Sequence, residues 1–369
     1  MAWARRGLLI FAAIAAAAVV AFFVFQRQIA AIAFERAIAT NLGRDLTATL
    51  PDGLHVFMCG AGSPMPDPHR GGPCVGVVAG TRVFVFDAGS GGARTLGRMG
   101  FPLARLDRIY LTHLHSDHID GLGEMLLQAW IGGNRKVPVP VAGPIGTRRV
   151  VEGFNIAYEI DSGYRLAHHG PDIADLAGFG AVPEQIDLRL APDMLTGAGE
   201  EASKVVFQEG GVRITAIPVT HAPVHPAFGF RIDYKDRSVT LSGDTVYDAR
   251  FVEASKGVDV MLHEALSVPM VRAMSEAAAT RGLPHISKIM TDILDYHASP
   301  EDAARAAADA GVDQLVLYHI VPPLPSALLK PVFLGTAARN FPGNITIAQD
   351  GLVVSLPSGS DDVSRTRAF

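Results

Sequence analysis

The sequence predicts an α/β protein, an αββα sandwich of two mixed sheets packed between outer helices, preceded by an N-terminal transmembrane or signal helix. Three observations predict it. Short β-branched and aromatic runs alternate with stretches of helical periodicity from about residue 54 to residue 142 and again from about residue 212. Residue types that ligate metal recur directly after predicted strands. The apolar run over 108–111 leads straight into Thr112-His113-Leu114-His115-Ser116-Asp117-His118. Strands and helices in that order bury their apolar faces by stacking in layers, with the polar residues left at strand ends.

The N-terminus stands apart from the rest. Arg5 and Arg6 precede an unbroken apolar run over 7–25, nineteen residues, and Gln26 and Arg27 close it. That run approaches the roughly 20 residues of a spanning helix and exceeds the roughly 7–15 of a signal-peptide core. We read residues 1–27 as an uncleaved signal anchor. Its basic flank keeps the N-terminus inside and sends the remainder across, so that the domain faces the periplasm from the inner membrane. The alternative is cleavage and release to the periplasm, since Ala31-Ile32-Ala33 and Ala37-Ile38-Ala39 both carry a small-x-small pattern. Residues 28–50 are expected to form a tether, 51–357 the globular domain, and 358–369 a disordered tail.

The domain opens with strands over 54–58, 74–79 and 83–86, read as an antiparallel meander that ends at Asp87-Ala88-Gly89. Cys59 and Cys74 flank its first loop. A disulfide between them is feasible in an oxidising compartment, and two buried free thiols is the preferred reading. A short helix over 92–99 precedes the strand 109–112. An amphipathic helix over 119–130 then places Leu122, Met125, Leu126 and Trp130 on one face. After a strand over 137–142, residues 146–210 form an insert rich in Asp and Glu. It is expected to make a cap or rim beside the site, with Tyr158, Tyr164, His168, His169 and Phe179 as substrate-facing candidates.

Further strands over 212–219, 228–234 and 238–241 end at Thr220-His221 and Ser242-Gly243-Asp244, and the strand 258–262 runs into His263-Glu264. A helix over 286–296 precedes His297. Ser299-Pro300-Glu301-Asp302 has the hydroxyl, proline and acids of a helix start, for a helix over 301–310. The strand 314–318 presents His319, and a hairpin over 345–355 is expected to turn at Asp350-Gly351.

His113 and His115, two apart in extended chain, share a face, while Asp117 and His118 turn toward a neighbouring point. That is a supply of ligands for two metal ions; the bland reading is a polar loop whose histidines are otherwise satisfied. The motif resembles the signature of the metallo-β-lactamase superfamily of metal-dependent hydrolases. The resemblance implies that His113, His115 and His221 hold one divalent cation, that Asp117, His118 and His319 hold a second, and that Asp244 bridges them. Zinc is the expected metal, and Asp87 is implied to support the metal loop without binding metal. Two cations lower the pKa of a shared water toward neutrality, giving a bridging hydroxide that Asp117 is placed to orient. Flavodiiron oxygen reductases carry glutamate at the place of His115, and the β-lactamases lack the aspartate that Asp244 supplies, which sets both branches aside.

His263-Glu264-Ala265-Leu266 and His297-Ala298-Ser299 resemble two loops of ribonuclease Z and of related arylsulfatases and phosphodiesterases. The resemblance implies that His297 protonates the leaving oxygen and that Glu264 orients it, a fitting task for a histidine titrating near neutrality. The family's threonine is Leu266 in the first loop, and its Ser-Thr is Ala298-Ser299 in the second.

These readings combine into an exported, membrane-tethered dinuclear hydrolase that cleaves a small-molecule ester: a phosphodiester, aryl sulfate or lactone. Nucleic acid is not expected as a partner. By resemblance, ribonuclease Z grips tRNA through a basic, Gly-rich arm. Here the formal charge is −5 and the one sizeable insert is acidic. A ribonuclease Z-type tRNA 3′-processing endonuclease is the alternative, and a non-catalytic, metal-stabilised binding protein a further one. The oligomeric state is left open.

Overall fold

Residues 2–188 and 203–369 are described here, from a computed structural model. They divide into two units, Met1–Asp45 and Leu46–Phe369. The first is a single helix, Ala2–Asn41, of 40 residues. The expected boundary between an anchor ending at 27 and a tether over 28–50 is absent. No glycine or proline interrupts the alanine-rich run over 8–42, so nothing stops the helix until Gly43, which takes φ +72°. The segment Arg5–Asn41 is long and apolar enough to cross a membrane.

The second unit is built from two sheets. The first contains β1 (Gly53–Gly60), β2 (Cys74–Ala79), β3 (Arg82–Phe86), β4 (Arg108–Tyr110), β5 (Val139–Gly143) and β6 (Ala181–Gln185). The second contains β7 (Lys204–Glu209), β8 (Val212–His221), β9 (Val224–Tyr234), β10 (Arg237–Leu241), β11 (Val260–Leu266), β12 (Gln314–Val321) and β13 (Asn344–Ile347). The chain then returns to the first sheet for β14 (Leu352–Pro357) and β15 (Ser364–Arg367), giving the orders β15-β14-β1-β2-β3-β4-β5-β6 and β13-β12-β11-β10-β9-β8-β7. Both sheets mix parallel and antiparallel neighbours, as expected for the αββα sandwich. Their inner faces meet in a core around Phe86, Tyr110 and Phe230, whose ring centroids are 5.2–5.3 Å apart. Helices cover the outer faces. Leu122, Met125, Leu126 and Trp130 of helix Leu122–Gly133 are buried as their spacing predicts.

This topology positions the site. From β3 to β6, and again from β10 to β13, successive strands run parallel, so their carboxyl ends gather at one edge of each sheet. Asp87, Thr112, Asp244, Glu264 and His319 all follow or end such strands.

Four expectations fail, each for a physical reason. Cys59 and Cys74 are not free thiols but a disulfide, because β1 and β2 pair with Gly60 opposite Cys74 and bring the two Cα atoms to 5.0 Å. The tail over 358–369 is not disordered. Its polar composition reads as solvated, yet β15 needs only main-chain bonds to join the open edge of β14, while Arg237 donates to the carbonyls of Ser360 and Asp362. Asp350-Gly351 does not close a hairpin: β13 pairs with β12 and β14 with β1, in different sheets. The turn instead crosses between sheets, and Asp350 accepts bonds from the amides of Ala61 and Gly71.

The insert is the fourth. The described residues of 146–210 form no cap but the outer helix Thr147–His169, the edge strand β6 and the edge strand β7. Phe179 packs on Trp130, and Arg189, Asp193, Glu200 and Glu201 lie outside the described residues.

Burial raises the Asp350 carboxyl from its ordinary 3.8 to about 6, against the pull of its two amide donors. Because the folded value is above the unfolded one, its contribution to stability is full below pH 3.8 and is lost as the pH rises through 6. The difference in melting temperature between wild type and Asp350→Asn, followed from pH 3.5 to 7, is therefore expected to shift across that window; a difference flat in pH would refute the assignment.

Candidate metal centre

β3 stops at Phe86, and Asp87 turns out of the sheet with φ 57°, a left-handed backbone that costs a non-glycine residue about 1 kcal/mol or more. The turn aims its carboxylate under the metal loop. The Thr112 amide and hydroxyl donate to it at 2.8–3.1 Å, and His118 Nδ1–H donates at 2.8 Å. Asp87 thereby fixes the His118 tautomer and leaves Nε2 facing the centre, the supporting role the resemblance implied. Asp87→Ala is expected to weaken metal binding roughly 10–100-fold with the fold retained, measurable by competition with a chromophoric chelator.

The seven expected ligands converge. His113, His115, His221 and Asp244 place one ligand atom each within 4.8 Å of one another, and so do Asp117, His118 and His319. Asp244 lies between the sets: its Oδ1 is 3.4 Å from His118 Nε2, and its Oδ2 is 3.3 Å from His319 Nε2 and 3.8 Å from His113 Nε2. Asp117 Oδ2 is 3.4 Å from His319 Nε2. His319 reaches inward because it bulges out of β12. Glu264 pairs with Tyr318 and Ala265 with Ile320, leaving His319 between them at φ 47°.

The donor set fits divalent cations. His118 Nε2, His319 Nε2, Asp117 Oδ2 and Asp244 Oδ1 are all buried without a hydrogen-bond partner, a costly arrangement that a cation among them resolves. Burial holds His113, His115 and His221 below the ordinary 6.5, so the rings are neutral at pH 7 and offer lone pairs. At His118 burial pulls the same way, but the Asp244 and Asp87 carboxylates outweigh it and raise the value. The negative potential that would keep a proton on Nε2 also attracts a cation.

At the mouth, His297 Nδ1 bonds Glu264 Oε1 at 2.8 Å, and the same oxygen accepts the amides of Ala298 and Thr245. Burial lowers the His297 pKa, yet the Glu264 and Asp244 carboxylates more than offset it, and the value rises to about 9. Side chains alternate along β11, so Glu264 faces the site while His263 turns away to pack on Phe251, 5.6 Å between rings.

Several parts of the site escaped the sequence reading. Tyr296 accepts His221 Nδ1–H on its carbonyl at 2.9 Å and so sets that tautomer. The wall of the ≈ 430 Å³ pocket comes from the 63–66 loop and from Met290, Ile289 and Ile293 in and after helix Pro284–Asp292. Apolar residues at helical spacing carry the same signal whether they line a pocket or a core. None of Tyr158, Tyr164, His168, His169 and Phe179 lines the pocket, so these five are not the substrate-facing surface expected of them.

Residues 82–320 match the family model described as "Beta-lactamase superfamily domain". Ribonuclease Z of Mycobacterium avium (strain 104) is 36% identical over 299 residues, 80% of this chain and 96% of that protein. Ribonuclease Z of Mycobacterium bovis (strain BCG / Pasteur 1173P2) is 34% identical with the same coverage. Among solved structures, the short form of human tRNase Z superposes with a TM-score of 0.57 at 22% identity, covering 82% of this chain and 99% of that one. These relatives overturn two expectations. The reading as a small-ester hydrolase, and the exclusion of nucleic acid as a partner, both give way to relatives named for an activity on RNA that match along nearly their whole length. The donor set binds divalent metal, and the chain belongs to the metallo-β-lactamase superfamily, in its ribonuclease Z family, as a metal-dependent hydrolase of ester bonds.

Proposed function

We propose that the chain is a ribonuclease Z-type endonuclease that cleaves the phosphodiester at the 3′ side of precursor tRNA. The observation that carries this reading is the Glu264–His297 pair at the mouth of the metal pocket, supported by the ribonuclease Z relatives. His113, His115 and His221 would hold one ion, Asp117, His118 and His319 a second, and Asp244 both; the mix of imidazole and carboxylate donors suits zinc. When bound, two such cations supply an acidified water and neutralise charge on the phosphate.

The remaining work falls to side chains. Glu264, fully buried and fixed by two backbone amides, holds the His297 ring through Nδ1 and keeps it charged, so Nε2–H is free to protonate the departing ribose oxygen. Asp117, with Oδ2 unbonded, is placed to orient the attacking water. Met65, Ile289, Met290 and Ile293 wall off bulk solvent around the reacting phosphate.

The purified protein should trim a 3′-extended precursor tRNA, lose that activity on chelation and regain it with Zn2+, with about two metal equivalents per chain. Cleavage of bis(p-nitrophenyl) phosphate with the precursor left intact would overturn the proposal.

We further propose that helix Ala2–Asn41 anchors the protein in a membrane, supported by its length and composition. Arg5 and Arg6 ahead of the apolar run, and the Cys59–Cys74 disulfide, support a domain on the periplasmic side. Alkaline phosphatase fused after Phe369 is then expected to be active. An inactive fusion would return the domain to the side on which tRNA is made.

A further inference from the structure

The loop that follows β1 lines the metal pocket and then, with its next residues, a second cleft. Residues 63–66 line the pocket, and the next residues, 67–71, line the cleft, which encloses ≈ 770 Å³. Its cations come from opposite ends of the chain. Arg94 and Arg98 stand on helix Gly92–Met99, and Arg367 on β15. His69 adds a ring on the loop side.

The charges that face this cleft are not equivalent. Arg94 is paired with Glu124 at 2.6 Å, and the buried Arg70 with Asp67 at 3.1 Å. The other side-chain carboxylate at the cleft, Asp350, is turned into the amides of Ala61 and Gly71. Arg98 and Arg367 have no carboxylate partner among the described residues. The Arg98 guanidinium lies 3.7 Å from the centroid of the Phe369 ring, and Arg367 donates to the neutral side chain of Gln349 at 3.2 Å. Both are exposed. Stacking on a ring fixes the guanidinium plane while leaving its N–H groups toward the cleft, which suits a planar donor for a phosphate. Strand β15 therefore has a task that its sequence did not show: it delivers Arg367 and the Phe369 ring to this place.

We propose that this cleft is a phosphate-binding subsite, in which Arg98 and Arg367 grip the sugar-phosphate backbone of the RNA as it leaves the metal pocket over the segment 61–73. This rests on the RNA reading above and deepens it. A chain of net charge −5 needs its cations concentrated where the polyanion passes, and two arginines without a carboxylate partner, in a cleft lined by the same loop that lines the metal pocket, supply such a place.

The test is binding of a fluorescent acceptor-stem minihelix to the full-length, metal-loaded protein, by anisotropy from 50 to 300 mM salt. The double variant Arg98→Ala/Arg367→Ala is expected to weaken binding about tenfold or more at 0.1 M salt. The slope of log K against log salt should become shallower by about 1.5–2, the loss of two phosphate contacts. Turnover of bis(p-nitrophenyl) phosphate should be unchanged, which also shows that the variant folds. Arg98→Lys/Arg367→Lys keeps the charges and should recover most of the slope.

An unchanged affinity and slope in the alanine variant, or a wild type that does not bind the minihelix, overturns the subsite. So does loss of binding without loss of slope, since that is damage to packing on Phe369 and not to ion release. Cleavage of precursor tRNA is scored separately. Wild type that binds the minihelix through these arginines yet leaves precursor uncut supports the subsite and refutes the reaction assigned above.

Discussion

Asp244→Asn is expected to lower the rate of phosphodiester cleavage by roughly a thousandfold or more and to reduce the bound metal to about one ion per chain or less. The expectation follows from position. Among the described residues, Asp244 is the one side chain whose carboxylate lies within 4 Å of ring nitrogens from both sets, His113 and His221 on one side and His118 and His319 on the other. Asparagine keeps the volume and one acceptor oxygen but brings no negative charge. Two cations held by the proposed ligand sets would repel strongly in a site this dry, and a carboxylate shared between the sets would offset that repulsion. The backbone should tolerate the change, because β10 ends before Asp244 and its neighbours are fixed independently: the Gly243 amide by Tyr318 Oη, the Thr245 amide by Glu264. Metal analysis and bis(p-nitrophenyl) phosphate turnover on the same preparation check it. A variant that retains two ions and a tenth of the activity would mean that Asp244 does not bridge.

The legible part of this centre was the part that is local in sequence. His113, His115, Asp117 and His118 announce themselves because four potential ligands, three imidazoles and a carboxylate, stand within six residues after an apolar strand. His221, Asp244 and His319 were found by resemblance, each at a strand end, where parallel topology brings carboxyl ends together. What could not be read was geometry that depends on partners. The bulge that turns His319 inward exists only in register with β11. Ile289, Met290 and Ile293 look like any core-facing turn until a pocket opens beside them. The acidic residues of 146–210 suggest a rim, yet several sit on the solvent face of the outer helix Thr147–His169, where a run of charge ordinarily belongs. The substrate class went astray for the same reason. Summed charge says how many cations a chain has and nothing of where they meet, whereas Arg98 and Arg367, 269 positions apart in the sequence, face one cleft.

His297→Ala is expected to slow cleavage of precursor tRNA by roughly 10²–10⁴-fold while slowing bis(p-nitrophenyl) phosphate by less than about tenfold. The difference lies in the leaving groups. A ribose oxygen departs as a strongly basic alkoxide unless a proton reaches it in the transition state, whereas p-nitrophenolate is stable enough to leave unaided. In the folded protein the His297 ring is held by Glu264 at 2.8 Å and lies 4.0 Å from Asp244 Oδ2, so Nδ1 is committed and only Nε2 can deliver the proton. Glu264→Gln should show a weaker form of the same split, because the amide still accepts a bond from Nδ1 but no longer stabilises the charged imidazolium. His297 also shares a corner of the centre with Asp244 and His319, close enough for its ring to be taken as a ligand. The two roles predict different data. Loss of a ligand would slow both substrates alike and lower the metal content of the His297→Ala protein, and that pair of results would sink the acid role.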